Sequence, residues 1–242
     1  AEDPSQPPSF RPQHPAMRVV SPPGFDPEVD AKNRVCARCH TVLFSRYPYT
    51  WEGGTRSGDA GGSHINSGEA RDFLLGGCAT KLTCTTCHDP HQKSDRARMD
   101  ALGTVAGNPV CTSCHAELAP PERLVAHTGH GAESAGSACI GCHMPKKNMG
   151  LDHGSTRYHR IGSPTDAARV EGDRPIECAL CHTDWSATRA LAELERQYGR
   201  RYDPGALRAR YPDPGAPLLA ETLRVGLPHE RVAAAMALGE HG

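Results

Sequence analysis

The sequence has few of the side chains that usually build a protein core. Hydrophobic residues make up 37% of the 242 positions and aromatic residues 5%, whereas an average globular domain is about 45–50% apolar. No apolar run approaches the length of about 18 residues that a membrane-spanning helix needs, so no transmembrane segment is predicted. An excess of one charge is also lacking, because 27 Lys and Arg stand against 28 Asp and Glu. This balance gives no electrostatic basis for binding nucleic acid.

What the sequence has instead is cysteine and histidine, in five copies of Cys-x-x-Cys-His. The pattern is typical of c-type haem attachment, in which two thiols bond to one edge of the porphyrin and the adjacent histidine binds the iron. Thioredoxin-like motifs occur singly, zinc sites require no histidine at the next position, and disulfide frameworks do not repeat one short spacing. We therefore predict five haems c as cofactors. The attachment cysteines are Cys36, Cys39, Cys84, Cys87, Cys111, Cys114, Cys139, Cys142, Cys178 and Cys181, and the proximal iron ligands are His40, His88, His115, His143 and His182.

Nine further histidines are available as second axial ligands, and five would make every iron six-coordinate. The predicted distal candidates are His64, His91, His127, His130, His153 and His159. His14 lies in a proline-rich segment, and we expect His229 and His241 to be solvated. Cys78 is the one cysteine outside the motifs, and a buried, inert thiol is the expectation for it.

The residues Cys84-Thr85-Thr86-Cys87-His88-Asp89-Pro90-His91 resemble the doubled C-x-x-C-H signature of multihaem cytochromes c, in its C-x-x-C-H-x-P-H form. The segments from His130 to Pro145 and from His159 to Asp184 are similar to recurring blocks of the same family. The resemblance covers about residues 31–200 and suggests a pentahaem member. It implies that His130 and His159 serve as distal ligands, and that the protein is an electron carrier or, in some relatives, an enzyme.

Three regions are predicted along the chain. Residues 1–30 contain eight prolines and form an extended N-terminal arm, 31–182 form the pentahaem domain, and 183–242 form an α-helical tail. The expected fold is mostly coil with short α-helices organised around the haems, with little or no β-structure. In the tail, Asp203-Pro204 predicts a capped helix start, and Pro228 predicts another helix that buries Val232, Ala235 and Met236.

Electron transfer through five closely spaced haems, mostly or all with two histidine ligands, is the function that these patterns favour, without enzymatic activity. Two alternatives remain. One is a reductase of nitrite, hydroxylamine or a sulfur oxyanion with one open haem, and the other is a subunit of a larger respiratory complex or an extracellular cytochrome filament. Expected partners are a redox donor and acceptor, and other cytochrome subunits or copies of itself. Because haem c is attached outside the cytoplasm, and because the chain starts as processed mature proteins often do, we expect a periplasmic or extracellular location.

Overall fold

The computed structural model describes residues 26–40, 42–43, 66–67, 69–74, 76–92, 96–149 and 154–241. Within these ranges the chain is mostly helical or coil and has almost no strand, which confirms that part of the predicted fold class. Residues 1–25 of the predicted proline-rich arm, together with His64 and His153, lie outside the described residues; His14 is among them, and the last four residues of the arm, 27–30, are the start of a helix. No helix among the residues that the structure describes is long and apolar enough to span a bilayer.

Short helices occupy the motif-bearing part of the chain. They are α1 Pro27–Ala37, α2 Glu69–Leu74, α3 Cys84–Cys87, α4 Arg96–Leu102, α5 Pro109–Thr112, α6 Pro121–Thr128, α7 Cys139–His143 and α8 Ala167–Gly172. Turns of 3₁₀-helix lie at Val105–Gly107, Ala116–Leu118, Ala135–Ser137 and Glu177–Leu180. Two antiparallel pairs of two-residue strands join β1 Val42–Leu43 to β2 Asn66–Ser67 and β3 Asn148–Met149 to β4 Ser155–Thr156.

Four helices follow the fifth motif: α9 Ala187–Tyr198, α10 Pro204–Arg210, α11 Leu218–Val225 and α12 Pro228–His241. The predicted start of α10 is confirmed, because the Asp203 side chain accepts a hydrogen bond from the Ala206 N–H and Pro204 is the first helical residue. The predicted face of α12 is wrong. This helix buries His229, Glu230, Ala233, Ala234 and Ala237, while Ala235 is exposed.

The larger apolar core lies across the fifth motif and the helices after it. Ile176, Ala179 and Leu180 around this motif pack with residues of α9, α11 and α12, including Leu194 and Leu219. A second, smaller cluster contains Phe73, Leu74 and Ala79. In contrast, the described residues between 84 and 149 bury only three apolar side chains, Leu124, Ala138 and Pro145. The tail therefore has a side-chain core of its own, whereas the middle of the chain does not.

A buried network of charges joins the tail to the rest of the protein. Glu230 on α12 accepts hydrogen bonds from the backbone N–H groups of Arg174 and Leu227, at 3.0 and 2.7 Å, and pairs with Arg210 at 3.1 Å. Lys147 pairs with Asp173 at 2.6 Å, and His229 Nε2 lies 3.9 Å from Asp173. The expectation of a solvated His229 is thus wrong, because α12 turns this side chain toward the network. His241 is on the surface.

Candidate metal centres

All five motifs fold in the same way, as one turn of helix. In the first, second, third and fifth motifs, the backbone N–H of the motif histidine donates to the carbonyl of the first cysteine, at 2.9–3.0 Å. The fourth motif, Cys139–His143, lies entirely within α7. One helical turn brings the two thiols and the imidazole of each motif close together. None of the eleven cysteines forms a disulfide, so all ten motif thiols are available for attachment.

Three motif histidines face a second imidazole. The ring centroids of His88 and His159 are 6.2 Å apart, those of His143 and His127 are 6.1 Å apart, and those of His182 and His130 are 5.9 Å apart. The ring planes within each pair are inclined by 20°, 3° and 23°, respectively. Rings in direct face contact lie much closer, as His182 and Trp185 do at 4.1 Å. Each pair therefore leaves a gap between its two rings.

The width of that gap fits a metal ion bound by both rings. A metal–imidazole bond is about 2 Å long, and the bound nitrogen is about 1 Å from the ring centre, so two opposed ligands place their centroids about 6 Å apart. All three measured separations agree with this value. Together with two thiols one turn away, the donor set is that of a covalently attached haem with two axial histidines.

Backbone carbonyl groups fix the orientation of three of these rings. The Nδ1 atom of His130 lies 2.8 Å from the Thr128 carbonyl, that of His143 lies 3.0 Å from the Gly162 carbonyl, and that of His159 lies 3.0 Å from the Arg157 carbonyl. A carbonyl oxygen can only accept, so Nδ1 must carry the proton. The Nε2 lone pair is then left for a metal, which is the usual second-shell arrangement of a metal-binding histidine.

Burial also favours the neutral form of three of the paired rings. Desolvation lowers the pKa of His143 and of His159, and it lowers the pKa of His182 as well. Only the neutral imidazole has a lone pair to donate, so these rings are held in the ligating state at neutral pH.

His127 and His130 lie three residues apart and yet face different motif histidines. α6 ends at Gly129, whose φ of 72° is in the left-handed region that glycine adopts without a steric penalty. His127 remains on the helix and faces His143, while the chain turns at Gly129 and carries His130 toward His182. The Gly-rich sequence around His130 thus directs two neighbouring histidines toward different motifs.

The rings of the first and third motifs are oriented by carboxylates. His40 Nδ1 lies 3.2 Å from a Glu69 oxygen, and His115 Nδ1 lies 3.5 Å from a Glu117 oxygen. Among the residues that the structure describes, no second imidazole is paired with either ring. His91 is exposed, and its backbone N–H is bonded to the Asp89 side chain. The other two distal candidates, His64 and His153, lie outside the described residues.

Motifs that are consecutive in sequence are also neighbours in space. Burial and the adjacent Cys36 thiol raise the pKa of Cys84 to about 12. A hydrogen bond with Cys139 is the main cause of the raised pKa of Cys111, to which Cys87 also contributes. Burial raises the pKa of Cys178 to about 12, and Cys142 adds to the shift. Thioether bonds would remove these protons, but the same contacts place the five attachment sites one after another in chain order.

Cys78 is half-buried, and burial is the main cause of its raised pKa, with Cys114 as a second cause. A raised pKa keeps this thiol protonated and unreactive at neutral pH.

Two asparagines that lie outside the Cys-x-x-Cys-His pattern contact motif cysteines. Asn33 and Asn108 are buried, and their side-chain oxygens accept hydrogen bonds from the backbone N–H groups of Cys84 and Cys139, each at 2.9 Å. The sequence does carry a signal for them, since each lies three residues before the first cysteine of a motif.

Comparison with known proteins agrees with this geometry. Residues 77–120, which contain the second and third motifs, match the family model described as doubled CXXCH motif. No curated protein and no solved structure is similar enough to match the chain. The matched motif indicates covalently bound haem c, and the match is consistent with a multihaem cytochrome c.

Proposed function

We propose that the protein transfers electrons through five covalently bound haems c, each held by two histidines. The observation that carries this proposal is the set of three imidazole pairs, each of which joins a motif histidine to a histidine outside the motifs. When bound, each haem supplies a one-electron iron couple. The paired histidines of this chain would hold each of these irons from both sides, which would leave no position for a substrate there.

The three pairs support the following ligands for three of the five proposed centres. His88 and His159 serve the second motif, His143 and His127 the fourth, and His182 and His130 the fifth. For His40 and His115 we propose second ligands from His64, His91 and His153. The carboxylates of Glu69 and Glu117 would fix the rings of these two proximal histidines, as carbonyl groups do for His143.

The contacts between motifs support a relay in chain order, with Cys36 beside Cys84, Cys87 near Cys111, Cys111 beside Cys139, and Cys142 near Cys178. The first and fifth centres are then the ends at which a redox donor and acceptor dock. We place the protein in the periplasm or outside the cell, because attachment of haem c takes place there.

The test is low-temperature electron paramagnetic resonance of the oxidised protein, with spins integrated per chain and haems counted by mass. Five haems with five low-spin ferric signals are expected, because two imidazoles per iron give a strong axial field. About one high-spin iron per chain that shifts on adding nitrite or sulfite would overturn the carrier function and favour the reductase alternative. Fewer than five haems by mass would contradict the proposed cofactor content.

A further inference from the structure

Two buried asparagines make the same pair of hydrogen bonds, each between two neighbouring motifs. Asn33 Nδ2 donates to the Leu82 carbonyl at 3.1 Å, and its Oδ1 accepts from the Cys84 N–H at 2.9 Å. Asn108 Nδ2 donates to the Ser137 carbonyl at 2.9 Å, and its Oδ1 accepts from the Cys139 N–H at 2.9 Å. We call each of these two bidentate contacts an amide clamp.

The register of the two amide clamps is identical. Each asparagine lies three residues before the first cysteine of its own motif, Cys36 or Cys111, and binds the first cysteine of the next motif and the residue two positions before it. The segments between the clamped motifs differ in length and sequence, so the contact recurs in two unrelated surroundings. The other three motifs carry Lys81, Gly136 and Pro175 at the corresponding position.

The chemistry explains why an asparagine serves here. Cys84 and Cys139 are the first residues of α3 and α7, so their N–H groups have no partner within the helix. Neither helix has a side-chain cap of its own that binds this N–H group. One buried amide satisfies this donor and a nearby carbonyl at once, which only a side chain with both an acceptor and a donor can do.

Both amide clamps also bring two attachment thiols into contact. The Cys36 and Cys84 thiols are hydrogen-bonded to each other, and Cys84 Sγ also donates to Asn33 Oδ1 at 3.3 Å. Cys111 is hydrogen-bonded to Cys139. Each sulfur would hold one edge of an attached porphyrin, so the contact between the sulfurs would also set how close the two porphyrin edges lie.

From these contacts we infer that Asn33 and Asn108 are positioning residues that set the spacing of two haem pairs, formed by the first and second motifs and by the third and fourth. The chain is then built as two clamped pairs followed by a fifth centre, which is held by the apolar core of the tail. The inference rests on the proposed function, since it requires haems at these motifs.

The isosteric variants Asn33→Asp and Asn108→Asp test it. Each keeps the acceptor but loses the Nδ2 donor, and it sets a carboxylate against the carbonyl of Leu82 or Ser137. The measurements are haems per chain by mass, low-spin content by electron paramagnetic resonance, and circular dichroism in the Soret band, where two haems in close contact give a bisignate couplet. Asn148→Asp, at a buried asparagine in β3 outside both amide clamps, is the matched control.

We expect wild-type protein to show the couplet. Each clamp variant should lose about half of its amplitude and still hold five low-spin haems, and the control should keep the full amplitude. Asn33→Ala and Asn108→Ala, whose vacated space admits water, provide the same readout if the aspartate variants do not accumulate.

A wild-type spectrum without a couplet, or an unchanged couplet in both clamp variants, would overturn the inference. An equal loss in Asn148→Asp would also overturn it, since the couplet would then report general loosening. A wild-type haem count below five, or high-spin iron in wild-type protein, would instead contradict the proposed function, so the two failures are distinguishable.

Discussion

His159 shows how a side chain from a distant part of the chain comes to face a motif histidine. Its ring faces His88 at 6.2 Å, and its Nδ1 is held by the Arg157 carbonyl. In His159→Ala the thiols Cys84 and Cys87 remain, so the haem stays attached while its iron loses one ligand. We expect one high-spin ferric signal per chain, reversed by adding free imidazole.

The matched control for this prediction is His241→Ala, because His241 lies on the surface beside Glu240 and faces no motif histidine. It should leave all signals low-spin. If His159→Ala also remained fully low-spin without imidazole, the pairing of His159 with His88 would be wrong.

At this scale the motif cysteines and histidines are predictable from sequence, because attachment chemistry requires them at fixed local spacing. The partner of each motif histidine is not predictable in this way. His159 belongs to a segment after the fourth motif and yet faces the second, and only tertiary structure brings the two together. His229 shows the same limit, since its burial depends on how α12 packs.

At the scale of elements, the turn that follows α6 positions His130 for the fifth centre. A Cβ atom added at Gly136 would lie 2.4 Å from the His130 ring, whereas one added at Gly131 would meet nothing within 4 Å. A movement of the ring away from this Cβ would break the hydrogen bond between His130 Nδ1 and the Thr128 carbonyl. We therefore expect Gly136→Ala to displace His130 and to convert the fifth centre to high spin.

Gly131→Ala is the control, since it makes the same change in the same segment, directly after His130, where the added Cβ meets nothing within 4 Å. It should leave the spin state unchanged. The prediction fails if both alanine variants give the same spectrum, which electron paramagnetic resonance of the oxidised proteins would show directly.

The helices of the tail show that the start of a helix can be predicted from the sequence more readily than its buried face. The start of α10 is predictable because capping by Asp203 and the fixed φ of Pro204 are local effects. The buried face of α12 is not, because its sequence is rich in small alanines on several faces and gives no clear apolar stripe. The buried Glu230, bonded to Arg174 and Leu227, decides the orientation instead.

At the scale of the whole molecule, Glu230 tests whether the tail and the fifth motif form one cooperative unit. Glu230→Ala leaves Arg174 and Arg210 without their shared carboxylate in a buried site, and breaking such a pair costs about 3–5 kcal/mol. The control Glu240→Ala removes a surface pair with Lys146, which is worth about 0–1 kcal/mol. Thermal unfolding is followed by haem absorbance and by far-ultraviolet circular dichroism. In Glu230→Ala the midpoints of both transitions should fall together. A lower midpoint in the circular dichroism signal alone would mean that the tail unfolds independently.

The last prediction concerns the chain without haem, because its side-chain core is unevenly distributed. Residues 170–237 share a core that includes Ile176, Leu194 and Leu219, whereas the described residues 84–149 bury only Leu124, Ala138 and Pro145 as apolar side chains. Buried apolar surface must offset the conformational entropy lost on folding, and residues 84–149 lack it without porphyrin. In protein made without haem attachment and kept reduced, hydrogen exchange should be fast throughout 96–149 and remain slow in α9, α11 and α12. Slow exchange in 96–149 would show that side chains alone fold this region, and fast exchange in all the helices would show that the tail also depends on the haems.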